Sequence, residues 1–109
     1  MINFLISMFL VLPVSSGLET TCPSPTNVHV VSKNGGTITF DWNDCGCVLN
    51  DYKVKFTRIS DSYTSPEYSA GTSDYTYSSL PSGSYVFYFW TECESESSEA
   101  IVIEDVIEN

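Results

Sequence analysis

Residues 37–57 read TITFDWNDCGCVLNDYKVKFT, and this stretch decides the fold class. Apolar and polar residues alternate over residues 37–42 and again over residues 51–57. The apolar members are Ile38, Phe40, Trp42, Tyr52, Val54 and Phe56. Because successive side chains of a strand point to opposite faces of a sheet, each segment predicts a strand with one buried face. A loop that carries Cys45 and Cys47 joins them.

The same pattern of short strands continues in both directions from this stretch. Alternating runs lie at residues 28–31, 75–77, 84–93 and 100–107, and turn residues such as Gly35 and Gly83 separate them. Residues 60–73 alternate less regularly and contain Pro66, which is typical of an edge strand with loops. Helical periodicity is absent. About seven evenly spaced strands predict an all-β fold, a seven-stranded antiparallel β-sandwich.

Composition restricts the class of protein further. The 109 residues suit a single domain, and 42% of them are hydrophobic, which is more than a disordered chain carries. Fourteen acidic and four basic side chains give a net charge of −10. A nucleic-acid partner is therefore not expected, because binding to a phosphate backbone requires clustered Lys and Arg.

The first 17 residues resemble an export signal. Residues 1–12 are almost wholly apolar, and Pro13 and the small residues Ser15, Ser16 and Gly17 follow. The run is shorter than the roughly 20 apolar residues of a membrane span. We therefore predict a signal peptide at 1–17, cleaved after Ser16 or Gly17, a single domain at 18–109, a secreted extracellular protein and no membrane anchor. An uncleaved anchor or a buried strand is the alternative.

Four cysteines lie in the predicted mature part, at Cys22, Cys45, Cys47 and Cys93. An even number in an exported chain favours two disulfides. The rival is a zinc site, but its usual pattern is two Cys-x-x-Cys pairs, and this chain has only one Cys-Gly-Cys. No metal or other cofactor is predicted.

From Cys22 to about Ile103 the chain resembles a fibronectin type III domain, a member of the immunoglobulin-like sandwiches. The residues that carry the resemblance are Pro25, Trp42, the Tyr52-x-Val54-x-Phe56 run, and Leu80 leading through Gly83 into Tyr85-x-Phe87-x-Phe89. The resemblance implies a core signature of Trp42, Tyr52, Val54, Phe56, Leu80, Tyr85 and Phe87. It also implies that Tyr85 is a corner tyrosine, bonded to the backbone near Leu80. Those two residues are one position closer together than is usual in the family.

The topology implied by this resemblance brings all four cysteines to one end of the sandwich. Secreted bacterial modules of similar pattern imply a Cys22–Cys93 bond, with Cys45 and Cys47 paired across Gly46. The alternative pairs Cys22 with Cys45 and Cys47 with Cys93, and the sequence alone does not decide between the two pairings.

Residues for catalysis are few. His29 is the only histidine, and no nucleophile elbow or phosphate-binding loop is present. Paired acids such as Asp41 and Asp44 are common at turns and strand ends. We predict that the chain is not an enzyme.

Two candidate binding regions remain. The first is an acidic pole, where loops 43–51 and 94–99 bring together Asp44, Asp51, Glu94 and Glu96. It would suit a basic protein or a calcium ion, unless the acids serve only solubility.

The second region is a sheet face on which the outward residues Tyr88 and Trp90 are aromatic, with Lys53 and Lys55 across the sheet. The lysines would cover the rings within the chain, or the face would bind a partner or a second copy. Stacking of a glycan is a third interpretation. We predict a small secreted, non-catalytic protein-binding or adhesion module that binds an extracellular protein. A secreted effector or antagonist that binds a receptor or host protein, and a spacer without a partner, are the alternatives.

Overall fold

The computed structural model describes residues 22–46 and 51–109, and these residues form eight strands and no helix. The strands are β1 Thr26–Asn34, β2 Thr37–Asn43, β3 Asp51–Arg58, β4 Tyr63–Thr64, β5 Tyr68–Ser69, β6 Asp74–Tyr77, β7 Gly83–Glu92 and β8 Ile101–Ile107. All pairings are antiparallel. The predicted all-β sandwich is confirmed. The predicted signal peptide at 1–17 and Cys47 lie outside the described residues, within which no helix could span a membrane.

The strands form two sheets that face each other across one core. The first has the order β1-β2-β6, and the second has the order β4-β3-β7-β8 with β5 also paired to β3. The eighth strand arises because the edge segment predicted at 60–73 divides at Pro66, which has no N–H to donate to the ladder. Beside it, the Ser65 hydroxyl accepts the Phe56 N–H at 3.0 Å in place of a backbone carbonyl.

The core is built mainly from aromatic side chains of both sheets. The Phe40 ring of β2 lies with its centroid 4.8 Å from those of Phe87 and Phe89 on β7. All seven residues of the implied core signature are buried. Burial of one face of each central strand explains the alternation that the sequence shows.

The short turn before β7 is fixed by a tyrosine hydroxyl. Tyr85 is fully buried, and its Oη donates a hydrogen bond to the Pro81 carbonyl at 2.7 Å. The acceptor is therefore one residue after Leu80, within the stretch that the resemblance implies. Tyr77 on β6 is also buried, but its Oη has no hydrogen-bond partner among the described residues. Burial raises the pKa of Tyr77 far above its usual value.

These two tyrosines predict opposite effects of one substitution. Tyr85→Phe removes the hydrogen bond to the Pro81 carbonyl and leaves that carbonyl without a partner. We therefore expect it to lower the free energy of unfolding by about 1.5 kcal/mol. Tyr77→Phe removes a buried hydroxyl without a partner, so we expect it to raise the free energy of unfolding by about 1 kcal/mol. Urea unfolding followed by tryptophan fluorescence measures both. A loss of stability in both variants would contradict the assignment of Tyr77 as unpartnered.

A disulfide closes one end of the sandwich. Cys22, ahead of β1, is bonded to Cys93, directly after β7, with the two Cα atoms 5.8 Å apart and a sequence separation of 71. The pairing implied by the resemblance is present, and the alternative of Cys22 with Cys45 is wrong. A zinc site of four cysteines is excluded for the same reason. The Cys45–Cys47 bond remains a prediction because Cys47 is not described.

Candidate functional site

The face of the second sheet that points away from the core is called the outer face here. Its side chains come from the alternate positions of three strands: Lys53, Lys55 and Thr57 on β3, Val86, Tyr88 and Trp90 on β7, and Val102, Glu104 and Val106 on β8. The register places Tyr88 between Lys55 and Val102. Val102 is 52% exposed, so an apolar strip extends from the centre of this face to the edge strand.

A shallow groove of about 490 Å³ runs along the outer face. Its lining residues are Lys55, Thr57, Thr64, Glu67, Tyr88, Trp90, Glu92, Ser97, Ser98 and Ala100. The lining combines aromatic rings, hydroxyl groups and two carboxylates. Such a combination provides contact area together with hydrogen-bonding groups that can orient a bound chain.

Trp90 forms part of the groove floor but presents little of its ring to solvent. Although Trp90 points outward, as the sequence indicates, it is only 8% exposed. Its indole Nε1 donates a hydrogen bond to Glu92 Oε2 at 2.8 Å. The chain after β7 folds back beside it, since the Ser98 N–H donates to the Thr91 carbonyl at 2.8 Å. Trp90 is therefore mainly a structural residue, and Tyr88 is the more accessible aromatic.

Lys55 covers the aromatic pair. Its Nζ lies 5.4 Å from the ring centroid of Tyr88 and 5.7 Å from that of Trp90, within the range of cation–π attraction. Lys53 does not share this role, because its Nζ donates to Ser69 Oγ at 3.1 Å and lies 4.0 Å from an Asp51 oxygen. Of the two lysines that the sequence places beside the rings, Lys55 makes the cation–π contacts.

The residues of the predicted acidic pole lie in different local settings. Asp51 and Glu92 are direct neighbours across β3 and β7, whereas Glu94 and Glu96 are exposed in a turn closed by a bond from the Cys93 N–H to the Glu96 carbonyl. Asp44 accepts a hydrogen bond from Tyr52 Oη at 3.0 Å. Burial raises the pKa of the Tyr52 hydroxyl, and the Asp44 carboxylate raises it further.

The pole offers little support for the calcium hypothesis. Within residues 22–46 and 51–109, no three His, Cys, Asp or Glu side chains are grouped so that they could hold a metal ion. His29 lies on β1 of the opposite sheet, where it is exposed and its Nδ1 is 2.7 Å from the Asn27 carbonyl. Among the described residues, the groove brings aromatic rings, hydroxyl groups, carboxylates and a lysine together on one concave surface.

Sequence reasoning did not single out several residues of the groove. Glu67, Ser97 and Ser98 line it because the chain breaks at Pro66 and folds back after Cys93. Pro66 marks the first of these two places in the sequence, but no local pattern shows that both segments reach the same face of the sheet. Glu92 could have been found, since it follows Trp90 by two residues in a strand and must share its face.

Comparisons with known proteins identify the fold and nothing finer. No protein-family model matches the chain, and no curated protein matches it. The fn3 domain of the human collagen alpha-1(XX) chain is similar at a TM-score of 0.69 and 18% identity, over 84% of this chain and 91% of that one. FN3tt is similar at a TM-score of 0.66 and 19% identity, over 83% of this chain and 98% of that one. Domains d3-d4 of rat CD45 are similar at a TM-score of 0.68 and 9% identity, over 80% of this chain and 50% of that one.

Proposed function

We propose that this chain, whose fold is that of a fibronectin type III domain, is an extracellular, non-catalytic module that binds another protein through the outer-face groove. The observation that carries the proposal is the apolar surface on the outer face at Tyr88 and Val102. Outward positions of a sheet are ordinarily polar when they face only water. An aromatic and an exposed valine beside a concave surface are typical of an interface.

Two features support the extracellular setting. The Cys22–Cys93 disulfide requires an oxidising compartment to form and persist. The apolar leader predicted at 1–17 would direct export. An adhesion module, an effector and an antagonist would each act by binding another protein. The groove would serve as the binding surface in all three roles.

Tyr88→Ala tests the proposal. The chain is purified from an exporting host, immobilised, and exposed to extracellular fluid of the native source. Because exposed aromatics at interface centres contribute strongly to binding, we expect Tyr88→Ala to reduce the captured partner at least tenfold. Tyr63→Ala is the matched control, since Tyr63 is an exposed tyrosine of the same sheet outside the groove. It should leave capture unchanged.

Three results would contradict the proposal. Equal capture of the partner by wild type and Tyr88→Ala would show that the binding site lies outside the groove. Loss of capture only on Glu94→Gln with Glu96→Gln, together with release by salt, would assign binding to the acidic pole. An absence of any specific partner for the wild-type chain would favour a spacer.

A further inference from the structure

We propose that the groove selects a basic segment of its partner, and that an Arg or Lys side chain of that segment takes the place now held by Lys55 over the Tyr88 and Trp90 rings. This inference rests on the proposed function of the groove and names the chemistry of its occupant. It is argued from the position of Lys55, the charges around the groove and the competition between two cations for one site.

The first argument is that the groove already holds a cation. Lys55 Nζ lies at similar distances from both ring centroids, 5.4 Å and 5.7 Å. The other three basic side chains, Lys33, Lys53 and Arg58, each lie within 4.0 Å of a carboxylate, at 2.8 Å, 4.0 Å and 2.7 Å. Among the described residues Lys55 has no such partner, so the rings are the groups that attract it. A long, flexible side chain held only by rings can swing away at little cost.

The second argument is charge complementarity. Lys55 is the only basic residue lining the groove, whereas Glu67 and Glu92 line it with carboxylates. One oxygen of Glu92 accepts the Trp90 indole N–H, which holds the carboxylate at the edge of that ring. Asp51 is its neighbour across the sheet. A guanidinium or ammonium in the place of Lys55 would therefore meet two π-faces inside a groove whose other charged side chains are carboxylates, and both features favour a cation over an anion.

The charge of the whole chain favours the same occupant. A net charge of −10 attracts a basic partner over distances of about a Debye length and repels an acidic one. It also disfavours a second copy of this chain. On the edge strand β8, Glu104 is exposed, and an exposed acid on an edge strand opposes pairing of like chains.

The third argument predicts whether loss of the Lys55 charge strengthens or weakens binding. Lys55 and an incoming cation cannot occupy the same position over the rings, and they repel each other. Lys55 therefore competes with a basic partner, whereas it would anchor an acidic one. Removal of its charge should strengthen binding of a basic segment and weaken binding of an acidic segment.

The probes are three capped heptapeptides of Gly and Ser that carry two arginines, two citrullines or two glutamates. Each is titrated into the chain purified from an exporting host, and the NMR signal of the Trp90 indole N–H reports on the groove. We expect the arginine peptide to shift this signal, and the citrulline and glutamate peptides to leave it nearly unchanged. The isosteric citrulline separates charge from shape.

Lys55→Met and Lys53→Met form the matched pair of variants. Both remove one positive charge from β3 on the outer face, but only Lys55 lines the groove. We expect Lys55→Met to tighten binding of the arginine peptide about fivefold and Lys53→Met to change it less than twofold. Glu92→Gln should weaken binding about threefold, and Glu104→Gln, on the same face outside the groove, should change it little. Melting temperatures show that each variant is folded.

Several outcomes would overturn the inference. These are a shift caused only by the glutamate peptide, weaker binding of the arginine peptide by Lys55→Met, or equal effects of the two lysine variants. No shift with the arginine peptide would overturn it as well. The capture assay separates this failure from that of the proposed function. If Tyr88→Ala abolishes capture and Lys55→Met also reduces it, the groove binds a partner that is not basic.

Discussion

Replacement of both Cys22 and Cys93 by alanine is expected to lower the free energy of unfolding by about 4 kcal/mol. The bond spans a sequence separation of 71 and joins the chain ahead of β1 to the end of β7. It therefore links the two sheets and restricts most of the unfolded chain. Domains of this size are stable by roughly 5 kcal/mol, so about 1 kcal/mol would remain and roughly one molecule in six should be unfolded.

The cysteine prediction has a control within the same chain. Cys45 and Cys47 are predicted to pair across Gly46, and a ring that small restricts the unfolded chain little. The double variant Cys45→Ala with Cys47→Ala should therefore lose no more than about 1.5 kcal/mol. Urea unfolding of wild type and both double variants under oxidising conditions measures the difference. Similar losses in the two variants would show that the long bond does not act by restricting the unfolded chain.

The strands and the core could be predicted from sequence because each depends on a local pattern. Period-two alternation at residues 37–42 and 51–57 assigns Phe40 and Val54 to the buried face without any knowledge of the partner strand. The corner bond of Tyr85 followed from the family resemblance, which implied an acceptor near Leu80, and the acceptor is the Pro81 carbonyl. The number of strands was missed by one because a proline interrupts the edge.

The groove could be predicted only in part because its walls come from distant segments. Tyr88 and Lys55 follow from alternation and from the pairing of β3 with β7. Glu67 and Ser98 reach the same surface through a broken edge strand and a turn, and no local pattern encodes either approach. The exposure of Trp90 was also beyond sequence reasoning, since alternation gives the direction of a side chain but not what covers it.

Trp90→Ala is expected to lower the free energy of unfolding by about 3 kcal/mol, whereas Tyr88→Ala should lower it by about 1 kcal/mol. The indole is 8% exposed, and its removal leaves a void under Lys55 and releases Glu92 from its hydrogen bond. Tyr88 is half-buried, so its truncation exposes less apolar surface. Chemical unfolding followed by circular dichroism measures both variants, because one of them lacks a tryptophan.

Trp90→Phe separates packing from the hydrogen bond. Phenylalanine keeps a ring in the floor and offers Lys55 a π-face, but it cannot donate to Glu92. We expect it to recover about half of the stability that alanine loses. If Trp90→Ala is instead as stable as wild type, the indole is not part of the floor and is free to contact a partner. If the expected order holds, loss of binding in a Trp90 variant reports on folding, and the role of the outer face must be decided with Tyr88 and Lys55.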